Sequence, residues 1–119
     1  MVGWLQGLRP AEIAALANRL GAFVAQHPKS ALAPRAQYWI GDSYFNLRDY
    51  KNAIANQQKL VSTYPESASV PDALLNMASA YIELGDSASA RKTMDRLIAR
   101  YPSSDAAEKA RPRKIQVQS

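Results

Sequence analysis

The chain has no cysteine and a single histidine, His27. Disulfides, thiol nucleophiles and cysteine-ligated metals are therefore outside its chemistry. One imidazole is also too few for a metal site, which needs several convergent ligands. A serine triad needs a histidine beside its nucleophile and an acid to orient it, and no such motif is present; nor is there a glycine-rich loop to cradle phosphate. No apolar run reaches the ~18 residues that would span a bilayer, so no membrane insertion is expected. Glycine and proline are scarce, 5 and 7 residues of 119, too few for a disordered or collagen-like chain. Met1-Val2-Gly3-Trp4 opens without a charged segment leading into an apolar one, so any export leader is expected to lie outside this sequence. These absences argue against an enzyme and call for no metal and no cofactor.

What is present is enough apolar material for a core, 47% of the residues, in a length that suits one domain or a short array of repeats. The net charge is +5, and part of the excess lies at the C-terminus, where Lys109, Arg111, Arg113 and Lys114 face only Glu108. Charge runs of this kind are usually solvated, and residues 112–119 are expected to form a flexible basic tail. Arg91, Lys92, Arg96 and Arg100 are the nearest thing to a phosphate-binding stripe. Asp95 interrupts them and no aromatic interleaves, so no nucleic-acid partner is expected.

Internal periodicity is the main signal. His27-Pro28-Lys29-Ser30, Tyr64-Pro65-Glu66-Ser67 and Tyr101-Pro102-Ser103-Ser104 recur at a period of 37 residues, from Pro28 to Pro65 and from Pro65 to Pro102. The same shift lays Pro34 on Pro71, Ala36 on Ala73 and Ala110, Tyr44 on Tyr81, Leu47 on Leu84, Asp49 on Asp86, Ala53 on Ala90 and Leu60 on Leu97. Chance would supply only about two identities in one such period. Within each period the apolar spacing is helical: Tyr50, Ala53, Ile54, Gln57, Leu60, Val61 and Tyr64 share one face. Ala36, Ile40, Tyr44 and Leu47 mark the helix before it, as Ala73, Met77, Tyr81 and Leu84 do one period later. Pro34 and Pro71 suit a first helical turn, and Gly85-Asp86 supplies a left-handed stop. Arg48-Asp49 must make the same turn without glycine, at greater cost. Each residue before the recurring proline avoids the α region and ends a helix, and His27 is expected to plug that position in the first unit.

The pattern of helix, short turn, helix and proline break predicts an all-α, right-handed α-solenoid. It comprises a degenerate first repeat over 1–30, repeats over 31–67 and 68–104, a closing helix over 105–111 and the tail over 112–119. Met1 to Leu8 is too short for a full opening helix. Leu16, Leu20 and Phe23 would then be partly uncovered, which predicts a homo-oligomer formed through the N-terminal edge.

Residues 34–67 fall on the tetratricopeptide repeat (TPR) pattern without a gap. Gly41 takes the small-residue position, and Tyr44, Ala53 and Pro65 take the aromatic, alanine and proline positions. Leu60 and Leu97 stand where many such repeats have alanine, which predicts looser packing there. More narrowly, Ala36-Gln37-Tyr38-Trp39-Ile40-Gly41-Asp42-Ser43-Tyr44, Asp49-Tyr50-Lys51-Asn52-Ala53-Ile54 and Tyr101-Pro102-Ser103-Ser104-Asp105-Ala106-Ala107 resemble the C-terminal TPR domain of the Tol–Pal-associated periplasmic proteins, the YbgF/CpoB family. The resemblance covers about residues 23–111. It implies a periplasmic location, binding to TolA, and a part in coordinating septal peptidoglycan synthesis with outer-membrane constriction at division. Members of that family also carry a signal peptide and a trimerising coiled coil, absent from this sequence. Another envelope TPR scaffold, such as the lipoprotein of the outer-membrane β-barrel assembly machine, is the alternative, and it would carry a lipidated cysteine upstream.

In such an array the first helix of each pair lines a concave groove, and one of its faces is not needed for the core. Here that face is Arg35, Tyr38, Trp39, Asp42, Phe45 and Asn46, followed by Asp72, Leu75, Asn76, Ser79, Ile82 and Glu83. Aromatic rings beside Asn, Asp and Arg have the composition of a protein-binding hot spot. Asn46 and Asn76 are the residues expected to hold a ligand backbone. Trp39 and Phe45 have two uses open to them, ligand contact or packing on the adjacent repeat.

Overall fold

The computed structural model describes residues 7–117. Among these residues six helices follow one another: α1 (Pro10–Gln26), α2 (Ala33–Asn46), α3 (Tyr50–Thr63), α4 (Val70–Glu83), α5 (Ser87–Arg100) and α6 (Asp105–Gln116). Each packs on the next, and α2, α4 and α6 also touch in sequence. The described residues form an all-α solenoid in which the odd helices make one layer and the even helices the other. Residues 1–6, on which the short opening segment was read, lie outside the described residues.

The links repeat because their sequence does. In each, the serine after the proline bonds back to the residue before it: Ser30 N–H to His27 O, Ser67 N–H to Tyr64 O and Ser104 N–H to Tyr101 O, at 3.0–3.1 Å. The hydroxyls of Ser30 and Ser67 then accept from Leu32 and Ser69 N–H, and that of Ser104 caps α6 by accepting from Ala107 N–H at 3.1 Å. Tyr64 donates its hydroxyl to Pro28 O at 2.7 Å, tying one link to the previous one. His27 does not plug its site: it is exposed, its ring tilted against Phe23 at 5.4 Å.

Asp49 and Asp86 cap α3 and α5 by accepting from Asn52 and Ser89 N–H. The turns before them differ in chemistry but share a backbone. Arg48 has φ 63° and Gly85 φ 80°, so the arginine occupies the left-handed conformation that glycine takes one period later.

The core is one apolar cluster running from Leu60 and Val61 through α4 and α5 to Ala106, Ala107 and Ala110, with a smaller group at Val24, Ala36 and Ile40. Leu60 and Leu97 are fully buried, so the expected looseness is not found; the pocket is built to leucine's size. The closing helix also exceeds its expected end at 111. Pro112 lacks the N–H that would bond one turn back, a loss that usually stops a helix. Here α6 continues to Gln116 because Val117 packs on the core cluster and donates its N–H to Arg113 O at 3.0 Å. Residues 112–116 are therefore helical, not tail.

Candidate functional site

The even helices α2, α4 and α6 lie side by side and present a shared surface. Two adjoining clefts open on it. The larger, of about 600 Å³, is lined by Tyr38 from α2, by Asp72, Leu75, Asn76 and Ser79 from α4, and by Lys109, Pro112, Arg113 and Gln116 from α6. The smaller, of about 290 Å³, is lined by Phe45, Ser79, Ile82, Glu83, Arg113, Gln116 and Val117. Ser79, Arg113 and Gln116 belong to both, so the clefts are two compartments of one groove.

Eight of the twelve residues expected on this face line the groove: Tyr38, Phe45, Asp72, Leu75, Asn76, Ser79, Ile82 and Glu83. The other four do not. Arg35 is exposed on the first turn of α2, outside both clefts, and Trp39 is 37% exposed, also outside them. Asp42 is buried, 1% exposed, and Asn46 donates its Nδ2 to the Asp42 carbonyl of its own helix at 2.7 Å instead of facing outward.

The burial of Asp42 has a structural cause. It accepts from Asn76 Nδ2 at 3.1 Å, across 34 residues of chain, at the seam where α2 meets α4. Ser79 and Arg113 form the same seam one period on, between α4 and α6, also 34 residues apart, with the guanidinium donating to the Ser79 hydroxyl. Residues expected to be free for a ligand are thus partly spent on holding neighbouring even helices together. Asn76, 4% exposed, keeps its Oδ1 buried and without a hydrogen-bond partner, because the Asp42 carboxylate takes its NH₂ side. Phe45 stacks edge-on to Tyr50 of α3 at 5.3 Å, so it packs within its own unit while its side chain also walls the smaller cleft.

The charges of the groove are divided between helices. Burial raises the Tyr38 phenol well above its ordinary pKa, with Asp42 and Asp72 adding to the effect. The Asp72 carboxyl is also raised, first by burial and further by Asp105, against the lowering influence of Lys109. Among the residues lining the groove, the acids Asp72 and Glu83 stand on α4, while α6 brings the cations Lys109 and Arg113. Lys114, by contrast, turns to Asp95 of α5 and ties α6 to that helix with an ion pair.

Of the α6 contribution, Pro112, Arg113 and Gln116 were missed because residues 112–119 were read as tail, and Lys109, inside the expected closing helix, because it was read as part of a solvated charge run. The signal was available. Advancing α4 by 37 residues lays Lys109, Pro112, Arg113 and Gln116 on Asp72, Leu75, Asn76 and Ser79, the groove positions of the preceding unit. Among the described residues no three His, Cys, Asp or Glu side chains converge as metal ligands, and no helix is long and apolar enough to cross a membrane.

Comparison with known proteins adds one result. The family model described as tetratricopeptide repeat matches residues 35–67 and 72–104, the two units that contain α2 to α5. No curated protein matches the chain.

Proposed function

The chain belongs to the tetratricopeptide repeat family, whose repeats mark protein–protein interaction modules, and from that footing we propose that the groove across α2, α4 and α6 holds a segment of a partner protein in the bacterial cell envelope. The observation that carries the reading is the groove itself: a cleft of about 600 Å³ that sets Tyr38 and Leu75 beside the charged Asp72, Lys109 and Arg113. Apolar anchors ringed by charge are what a protein surface uses to bind another.

The resemblance of residues 23–111 to the YbgF/CpoB domain supports TolA as the partner and the periplasm as the place. The role would then be to couple peptidoglycan synthesis to outer-membrane constriction. Calorimetric titration with purified periplasmic fragments of TolA tests this, beside the double variant Tyr38→Ala, Phe45→Ala. Two aromatic anchors are worth roughly a hundredfold in affinity together, and the variant is expected to lose about that much. Saturable binding that a folded double variant retains would move the site off the groove. Failure of the wild-type domain to bind any fragment would remove TolA.

Self-association is a second reading, favoured by the half-buried row Leu16, Leu20 and Phe23 on α1. Sedimentation that shows only monomer at high protein concentration would sink it.

A further inference from the structure

The two compartments of the groove each have an apolar wall, and they share one cation, Arg113. Tyr38, Leu75 and Pro112 wall the larger; Phe45, Ile82 and Val117 wall the smaller; Arg113, shared by both, bonds to Ser79 between them. The spacing follows from the helices. Tyr38 and Phe45 are seven residues apart on α2, as are Leu75 and Ile82 on α4, so the two apolar rows lie about 10.5 Å apart along the helix direction.

That spacing selects the shape of an occupant. Residues i and i+7 of an α-helix project from one face about 10.5 Å apart. Same-face residues of a β-strand lie roughly 7 or 13 Å apart and miss one compartment or the other. A polyproline helix comes nearer, at about 9.3 Å for i and i+3, but it carries unpaired backbone groups throughout. Between the compartments the Ser79 hydroxyl is taken by Arg113 and the Asn76 NH₂ by Asp42, which leaves the Gln116 amide and the buried Asn76 Oδ1, too few groups to pair with an extended backbone. An α-helix satisfies its own backbone and asks nothing of them.

Charge completes the pattern. The seam between α2 and α4 is closed, with Asp42 and Asn76 both buried. The equivalent seam between α4 and α6 is open: Arg113 is exposed where Asn76, its counterpart one period earlier, is buried. A guanidinium held only by a neutral hydroxyl gains from exchanging it for a carboxylate, which binds it with two charge-assisted hydrogen bonds. Given that the groove is where a partner sits, we infer that it takes an amphipathic α-helix with apolar side chains at i and i+7 and an acidic residue at i+3 or i+4, which draws Arg113 away from Ser79.

The test uses a fluorescein-labelled Ala/Gln-rich helical peptide with leucines at i and i+7 and glutamate at i+4, titrated by anisotropy. Two control peptides of the same length are compared with it. One has the second leucine at i+5, off the face, and one carries a central proline. The helical peptide is expected to bind roughly tenfold or more tightly than either control. Replacing its glutamate by glutamine is expected to weaken binding severalfold to the wild-type chain and to have no effect on the variant Arg113→Gln, whose fold circular dichroism checks. Equal binding of the i+5 or proline peptide would overturn the helix. A glutamate effect that persists in Arg113→Gln would overturn the role of Arg113, and failure of every peptide to bind would overturn the inference whole. The TolA titration is read separately: TolA lost from the Tyr38, Phe45 variant while these peptides fail would keep the groove and discard the helical occupant.

Discussion

Between α2 and α3, Gly41 meets Gln57, and the Gln57 side chain donates from Nε2 to the Tyr38 carbonyl at 3.0 Å. Gln37, beside it and 1% exposed, donates to the Asn56 carbonyl and side-chain oxygen at 3.0 and 3.1 Å. One period later the same positions hold Ala78, Met94 and Leu74, all buried in the apolar cluster, with Thr93 in the place of Asn56. The backbone path is repeated while the adhesive changes from amide hydrogen bonds to hydrocarbon. A solenoid fixes where helices cross, and either chemistry fills the crossing provided that both sides change together. A glutamine needs a glycine to let it in and a carbonyl to receive it; a methionine needs neither. The comparison teaches that these core positions are specified as pairs, so that exchanging one member at a time should be costly in a direction that depends on the unit.

The largest effect is expected at Gly41. A methyl group there would lie 2.3 Å from Gln57 Nε2, 2.4 Å from its Cδ and 2.8 Å from its Cγ, so nearly the whole side chain must move, not only its tip. Gly41→Ala should cost about 3 kcal/mol, the sum of overpacking and a buried amide cut from its acceptor. Ala78→Gly, the reverse change in the other unit, should cost only about 1 kcal/mol, chiefly through lost helix propensity. Adding Gln57→Met to Gly41→Ala, which recreates the Ala78 and Met94 pair, should recover much of the loss. Urea denaturation of these three variants and of Gln57→Met alone gives the coupling directly. Additive costs in the double variant would show that the two crossings are not interchangeable.

The next effect is asymmetric in the same way. Leu74→Gln would bury an amide opposite Thr93, whose hydroxyl is already bonded to the Ser89 carbonyl at 2.8 Å. A cost of about 2 kcal/mol is expected. Gln37→Leu places hydrocarbon where the second unit carries it, and Asn56 is only half-buried, so water can satisfy what is left. That change should stay within about 1 kcal/mol of neutral. Thermal or urea unfolding measures both, and equal costs would break the comparison.

Much of this was legible in the sequence and some was not, for identifiable reasons. The 37-residue period located the links, because proline and serine act locally and leave their mark on the chain. Gly41 was readable as a close approach for the same reason: a missing side chain has one common use inside a helix. The even-helix seam was not readable. Asp42 and Asn76 look like free groove residues until α2 and α4 are set side by side, and their relation, 34 residues apart, belongs to the packing and not to either helix. The reach of α6 was missed where a local rule was overridden. Pro112 argues for a helix end, and only the packing of the half-buried Val117 on the core cluster explains why the chain continues.

A smaller effect separates the units by pH. Tyr38 has Leu75 as its counterpart, and its phenol is held protonated by burial and by Asp42 and Asp72. A folded-state pKa above the unfolded one gives stability that is complete below the ordinary tyrosine value near 10 and is lost as pH rises past it toward the higher folded value. By pH 11 the loss attributable to this group should be about 1 kcal/mol. Comparing wild type with Tyr38→Phe isolates it from the other tyrosines. A variant that loses stability between pH 9 and pH 11 as steeply as the wild type would place the phenol in solvent-like surroundings.

The smallest effect lies in the turns, and it separates local strain from packing. Arg48 and Gly85 make the same left-handed turn, Arg48 N–H bonding to Phe45 O and Gly85 N–H to Ile82 O, each at 3.0 Å. A non-glycine residue in that region is strained by about 1 kcal/mol, while glycine gains freedom in the unfolded chain that opposes most of the relief. Arg48→Gly should therefore stabilise by only about 0.5 kcal/mol, and Gly85→Ala should destabilise by about the same amount or slightly more. Because neither turn residue enters the core, the two changes should be additive with the Gly41 and Gln57 variants. A larger gain at Arg48, or coupling to Gly41, would mean that strain at the turn is transmitted into the crossing of α2 and α3, and that the polar unit is held in place partly by its own turn.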